Sequence, residues 1–131
     1  MDVRLRVLVV DDNRDTADTL GWIVTSCGHD VEVAYDGASV MEVSTRFKPH
    51  VVLLDIGLPN LDGFELAREL RRQLPTVLII AVTGFGDEDR RKKAKEAGFN
   101  FLLVKPIDPD ILTEFLMRPL PHDQDQLLPL A

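Results

Sequence analysis

The stretch Val51-Val52-Leu53-Leu54-Asp55 sets four aliphatic residues in a row and stops on a carboxylate. Successive side chains of a strand point to opposite faces of its sheet, so a strand that is apolar at every position must be covered on both sides. Four more segments read as strands of the same kind: Leu5 to Val10, Val31 to Tyr35, Val77 to Thr83 and Phe101 to Val104. Helical spacing fills the intervals. Ala17, Leu20, Ile23, Val24 and Cys27 lie on one 3.6-residue stripe after Asn13, and Gly28 stands where that helix would stop. A shorter helix is expected from Ala38 to Phe47. Asp62 with Glu65 has the form of a capping box, followed by Phe64, Ala67, Leu70 and Leu74 up to Pro75. Nine of the ten residues from Asp87 to Glu96 are charged, with Ala94 and then Ala97 as the only apolar side before Gly98, so this helix should face solvent. Asp108 and Pro109 open a fifth helix that runs to about Met117.

Strand and helix therefore alternate five times. A closed eight-unit barrel needs about 250 residues, and this chain has 131, which leaves an open doubly wound α/β sheet. The expected arrangement is flavodoxin-like: five parallel strands in the order 2-1-3-4-5 with five helices, and a ligand crevice at the carboxyl ends of strands 1 and 3, where the winding reverses. Residues 1–118 read as one domain and 119–131, with Pro119, Pro121 and Pro129 and no period, as a flexible tail. Met1 just ahead of the first strand reads as a natural start. The composition, 45% hydrophobic and 28% charged, suits a globular domain. With no signal peptide, no apolar run of about 18 residues and a single cysteine, Cys27, the expected location is cytoplasmic. A net charge of −7 argues against a nucleic-acid-binding surface and favours cations and basic partners.

The polar residues at the strand ends converge on the crevice: Asp11 and Asp12 after strand 1, Asp55 after strand 3, Thr83 after strand 4 and Lys105 after strand 5. Each aspartate alone could be a helix cap, but three of them ending apolar runs at one edge call for a chemical reason. Two carboxylates about 5 Å apart repel by roughly 3 kcal/mol at an effective dielectric near 20. A divalent cation removes that cost, and oxygen-only ligands beside a phosphate site suit Mg²⁺. Lys105 and Thr83 could hold a phosphoryl group, with Asp55 itself as the acceptor.

Leu8-Val9-Val10-Asp11-Asp12-Asn13, Val52-Leu53-Leu54-Asp55-Ile56-Gly57-Leu58-Pro59 with Asp62-Gly63, Ala81-Val82-Thr83-Gly84 and Val104-Lys105-Pro106 resemble, in combination, the receiver domain of two-component response regulators. The likeness covers about residues 5 to 117. It implies that Asp55 accepts a phosphoryl group from a phosphohistidine on a sensor histidine kinase, possibly of hybrid type, or a histidine phosphotransfer protein. It also implies Mg²⁺ held by Asp12, Asp55 and the Gly57 carbonyl, with Asp11 acting through water. Thr83 and the Gly84 amide would bind phosphoryl oxygens, Lys105 would pair with the phosphate, and Lys105-Pro106 would be cis. Such a domain is no enzyme beyond catalysing its own phosphorylation and dephosphorylation. It signals to a partner, often through the fourth helix, fifth strand and fifth helix, as a monomer or weak dimer, without nucleic acid or membrane contact. Three residues before the lysine, relatives often carry an inward-swinging Tyr or Phe; here the position is Leu102, with Phe101 beside it. The positions of Gly57 and Phe85 tune dephosphorylation in relatives.

Two other readings share the architecture. A phosphatase of the haloacid dehalogenase type also uses Asp, Thr, Lys and Mg²⁺, but its aspartates are spaced Asp-x-Asp after strand 1, whereas Asp11 and Asp12 are adjacent. A flavin- or nucleotide-binding module would need a small-residue phosphate loop where this chain has acids. Trp22 and the phenylalanines are expected to be packing residues, Cys27 core, and His29, His50 and His122 loop residues rather than metal ligands.

Overall fold

The computed structural model describes residues 4–57, 62–84, 86–117 and 129–130. Along the chain run β1 (Arg6–Val10), α1 (Arg14–Ser26), β2 (Asp30–Ala34), α2 (Gly37–Phe47), β3 (Val51–Asp55), α3 (Gly63–Gln73), β4 (Leu78–Thr83), α4 (Glu88–Ala97), β5 (Phe101–Val104), α5 (Pro109–Met117) and β6 (Pro129–Leu130). The strands are parallel in the order β2-β1-β3-β4-β5-β6, so the five expected strands take the order 2-1-3-4-5.

The apolar strands are divided residue by residue between two cores. Leu8, Val10, Val52, Leu54, Ile79, Ala81 and Leu102 pack with Val40 of α2, Leu66 and Leu70 of α3 and Ala94 and Ala97 of α4. Their neighbours Val7, Val9, Val51, Leu53, Ile80, Val82, Phe101 and Leu103 pack with Ala17, Leu20 and Val24 of α1 and Leu112 and Leu116 of α5. This period-two partition is why the runs are continuous: each face of the sheet has its own helical layer.

Helix entry is set by short polar side chains. Asn13, Asp36, Asp62 and Asp87 each accept a hydrogen bond from the amide three residues on, at 3.1, 2.8, 3.1 and 2.8 Å. Gly98 closes α4 at φ 101°, a left-handed conformation that costs glycine little. Gly63 serves a different need. A Cβ there would lie 2.7 Å from Ile56 Cγ2 and 3.2 Å from the Asp55 carbonyl oxygen, so only a bare backbone lets α3 start this close to the end of β3.

Two expectations change. Trp22 is not a packing residue: it is 78% exposed, because α1 buries Ala17, Leu20, Gly21 and Val24 and position 22 falls on the opposite side of that stripe. Cys27 is half-buried rather than core, its Sγ 3.3 Å from Thr113 Oγ1. Within the segment read as a tail, Pro129 and Leu130 pair with Leu102 and Leu103 on the outer edge of β5, where strand amides and carbonyls would otherwise lack partners. Proline, lacking an N–H, is tolerated at such an edge. Residues 118–128 and 131 lie outside the described residues.

At the opposite end of the sheet from Asp55, Arg71 joins α3 to the two neighbouring elements. Its guanidinium donates to the carbonyls of Pro75, Val77 and Gly98 and to Asn100 Oδ1 at 2.6 Å, and Asn100 Oδ1 also accepts from the Ile79 amide at 2.9 Å. Burial pulls this arginine's pKa below its ordinary value. Arg71→Ala would leave several carbonyls without donors and should cost about 2–4 kcal/mol in urea denaturation.

The start of β1 is held by two histidines. His29 Nδ1 accepts from the Leu5 amide and His50 Nδ1 from the Arg6 amide, both at 3.0 Å, so both rings must be neutral there. Burial lowers both pKa values, offset at His29 by Asp30 and reinforced at His50 by Arg6. A lowered folded pKa means that the unfolded chain binds more protons. The histidine contribution is thus complete above the unfolded value near 6.5 and is lost as pH falls through the folded values. Asn at both positions offers an acceptor that does not titrate. In denaturant melts at pH 7.5 and 5, the natural chain should therefore lose stability relative to the His29→Asn/His50→Asn variant at the lower pH.

Candidate functional site

β1 and β3 are adjacent in the middle of the sheet, and each ends on a buried carboxylate: Asp11 is 1% exposed and Asp55 2%. The two side chains are held alike. Asp11 Oδ1 accepts from the Asn13 amide at 2.9 Å, and Asp55 Oδ1 from the Gly57 amide at 2.7 Å. Each is fastened two residues downstream, as Asp favours where a chain leaves a strand. Their second oxygens share one cation, since Lys105 Nζ donates to Asp55 Oδ2 and to Asp11 Oδ2, the latter at 3.3 Å.

Lys105 reaches this position from the far side of β4. Its amide donates to the Thr83 carbonyl at 2.8 Å, extending the β4–β5 ladder by one residue past Val104, and its peptide bond to Pro106 is cis, as the sequence resemblance implied. Thr83 ends β4 fully buried. Gly57 completes the cluster: a Cβ there would lie 3.5 Å from Asp55 Oδ1 and 3.9 Å from Thr83 Oγ1, so its backbone walls the space between them. Gly84 is exposed, with open space around its Cα. Asp55, Asp11, Thr83, Lys105 and Gly57 are thus brought together, while Asp12 is exposed. Leu58, Pro59 and Phe85 lie outside the described residues.

Burial raises the Asp11 pKa above the ordinary carboxylate value; the Asn13 amide opposes this, the Asp55 charge adds to it, and Lys105 opposes it. Burial pulls the Lys105 ammonium down, but the hydrogen bond and charge of Asp55, joined by Asp11, outweigh burial and leave its pKa raised. One cation faces two carboxylates, so negative charge remains in excess. That excess, in an all-oxygen donor set, fits a hard divalent cation. Among the described residues no three His, Cys, Asp or Glu side chains form a ready cage, so an ion here would keep water in its shell.

Two features were beyond sequence reasoning. Arg90 of α4 donates from Nη1 to Thr83 Oγ1 at 3.4 Å; its place in a charged run gave no sign of a role different from its neighbours. The Leu102 position is also clarified. Leu102 is fully buried in the layer under α2–α4, whereas Phe101 points into the opposite layer with Leu112 and Leu116, so Phe101 does not supply the missing aromatic.

The raised Asp11 pKa has a consequence for stability. A carboxyl that is easier to protonate when folded contributes most below the unfolded value near 3.8, and that contribution is lost as pH rises through the folded value. Asp11→Asn imitates the protonated form. In metal-free buffer at pH 7.5 it should melt at a higher temperature than the natural chain, with the difference shrinking toward pH 4.

Residues 7–117 match the family model of the response regulator receiver domain. An uncharacterised 14.6 kDa protein of Leptolyngbya boryana is 37% identical over 109 residues, covering 81% of this chain and 82% of that protein. The response regulator PleD of Caulobacter vibrioides is 37% identical over 108 residues, 79% of this chain but 23% of PleD, and the sensor protein EvgS of Escherichia coli is 31% identical over 115 residues, 88% of this chain but 10% of EvgS. This chain thus spans most of the first relative and a minor part of the other two. Among solved structures, chemotaxis protein CheY4 of Vibrio cholerae superposes with a TM-score of 0.84 at 27% identity, covering 90% of this chain and 100% of that one. A CheY-like receiver domain protein of Methanospirillum hungatei gives 0.80 at 27% identity, covering 87% and 91%.

Proposed function

The chain belongs to the response regulator receiver family, and from that premise we propose that it is a phosphorylation-dependent signalling domain whose acceptor is Asp55. The observation that carries this reading is the pair of buried carboxylates, Asp11 and Asp55, sharing the Lys105 ammonium at the carboxyl edge of β1 and β3. An Asp55 oxygen attacks the phosphorus of a donor phosphoimidazole. The N–P bond breaks, the imidazole nitrogen leaves with the electron pair and takes a proton, and an aspartyl phosphate remains. The Gly57 amide fixes the acceptor carboxylate before attack. Lys105, already paired with Asp55, is placed to move onto a phosphoryl oxygen, and the Thr83 hydroxyl and Gly84 amide supply neutral donors.

Mg²⁺ would be held by Asp12, Asp55 and the Gly57 carbonyl, with Asp11 acting through water, and would supply the positive charge that the transferred group and the carboxylates need at one point. The modification replaces the single charge of the Asp55 carboxylate with a phosphoryl group carrying about two, a net gain of roughly one negative charge beside Asp11, which changes the demand on Lys105 and Thr83 and shifts the ends of β4 and β5 between two packings. The donor is a histidine kinase or a histidine phosphotransfer protein. A groove lined by Thr16, Thr19, Leu20 and Ile23 of α1 and by Lys105, Pro106 and Ile107 opens beside the site and offers the donor apolar surface. The response reaches a downstream protein across α4, β5 and α5. No helix among the described residues is long and apolar enough to cross a membrane.

Intact-mass spectrometry after incubation with acetyl phosphate tests the reading. One base- and hydroxylamine-labile phosphoryl adduct is expected, requiring both Mg²⁺ and Asp55. An adduct of undiminished yield on Asp55→Asn would overturn the assignment. Lys105→Ala should still be modified, but without the conformational response.

A further inference from the structure

Thr83 Oγ1 is engaged from α4 as well as facing the phosphoryl site. Arg90, in the first turn of α4, donates to it from Nη1 at 3.4 Å, while the amide of the same residue is fixed by Asp87 Oδ1 at 2.8 Å. At 3.4 Å the side-chain contact lies beyond the usual 2.7–3.2 Å range for N–H···O bonds, so it has room to tighten. The following residue, Arg91, turns its guanidinium toward Gly86. A Cβ on Gly86 would lie 3.3 Å from Arg91 Nη2, 2.6 Å from Val104 Cγ2 and 3.7 Å from Leu102 Cδ2. Arg91 Nε is buried with no hydrogen-bond partner among the described residues. Two consecutive arginines therefore bring guanidinium groups to Thr83 and to the neighbourhood of Leu102, the stretch where an aromatic link is missing.

We propose that Arg90 is a positioning residue that couples the phosphoryl site to α4 through the Thr83 hydroxyl; this rests on the assignment of Asp55 as phosphoryl acceptor. A hydroxyl carries one donor hydrogen and two acceptor lone pairs, so Thr83 can donate to a phosphoryl oxygen while still accepting from Arg90. The bond from Arg90 polarises the hydroxyl and makes it a better donor, and the bond to phosphate makes its oxygen a better acceptor. The guanidinium is also attracted to the dianion one hydroxyl away. Phosphorylation thus tightens the chain phosphate–Thr83–Arg90 and draws the first turn of α4 toward β4. A plain structural tether predicts otherwise: its effect on α4 would be the same with and without the phosphoryl group.

The test uses beryllofluoride, a tetrahedral phosphoryl mimic, with Mg²⁺ and ¹⁵N amide spectra of the full chain. In the natural protein, saturation should move the amides of Asp55, Gly57 and Lys105 together with those of α4. Arg90→Ala should keep the shifts at Asp55, Gly57 and Lys105, lose at least half of those in α4, and bind beryllofluoride about three- to tenfold more weakly, as expected for the net worth of one intramolecular hydrogen bond. Arg90→Lys should restore most of both. With Thr83→Ala in place, adding Arg90→Ala should change nothing further. Arg90→Gln, which keeps a neutral donor of similar reach, carries the same comparison should the alanine variant not fold, with an intermediate loss expected. Undiminished α4 shifts in Arg90→Ala and Arg90→Gln, or additive losses in the double variant, would overturn the proposal. Absence of any response at Asp55, Gly57 and Lys105 in the natural protein would overturn the phosphoryl-site reading and the coupling with it.

Discussion

Two carboxylates buried side by side at the end of a parallel sheet are sustainable only if positive charge reaches both, and Lys105 is the group that does so. That ammonium ties the ends of β1 and β3 to the end of β5 across β4, so three of the four strands on which the site rests are linked by one side chain at their carboxyl edge. The remaining oxygen of each carboxylate is fastened to a backbone amide of its own loop. Neither aspartate can turn away without giving up a bond, and neither is fully neutralised. A site in this condition is prepared for added charge, whether a cation that completes the neutralisation or a phosphoryl group that competes for the lysine.

The rest of the fold holds these three groups in place. The two apolar layers fix the sheet, and with it the order in which strand ends meet. Gly63 lets α3 begin against Ile56, close to the end of β3. Arg71 and Asn100 gather the loops at the other end of the sheet, so the strands are pinned at both edges by polar side chains while their middles are held by ladder hydrogen bonds and packing. Movement is easiest where this bracing is thinnest. α4 buries only Ala94 and Ala97, and its first turn reaches the site through a long hydrogen bond from Arg90 to Thr83.

Much of this was legible in the chain itself. Continuous aliphatic strands require helices on both faces, and alternation of strand and helix then admits few topologies, so the order 2-1-3-4-5 follows from residues such as Val51 to Leu54. Strand ends can be read because polar residues, Asp above all, interrupt the apolar runs, which placed Asp11, Asp12, Asp55, Thr83 and Lys105 at one edge from the sequence. Other features were hidden for physical reasons. Trp22 looked like a core residue because its size suggests burial, but one helical position of 100° decides whether a ring faces sheet or solvent. Arg71 and Arg90 were invisible because a long flexible side chain carries no mark of where its head will rest.

What the sequence determined by itself was therefore everything governed by period and by polarity: the layers, the strand order, and the set of groups at the switch point. Tertiary structure alone decided which of those groups touch. It placed Asp11 rather than Asp12 beside Asp55, because strand register sets which carboxylate points inward. It sent Phe101 and Leu102 to opposite cores, because pleating alternates. It brought Arg90 to Thr83, because a hydrogen bond between residues on different elements exists only once the elements have been packed.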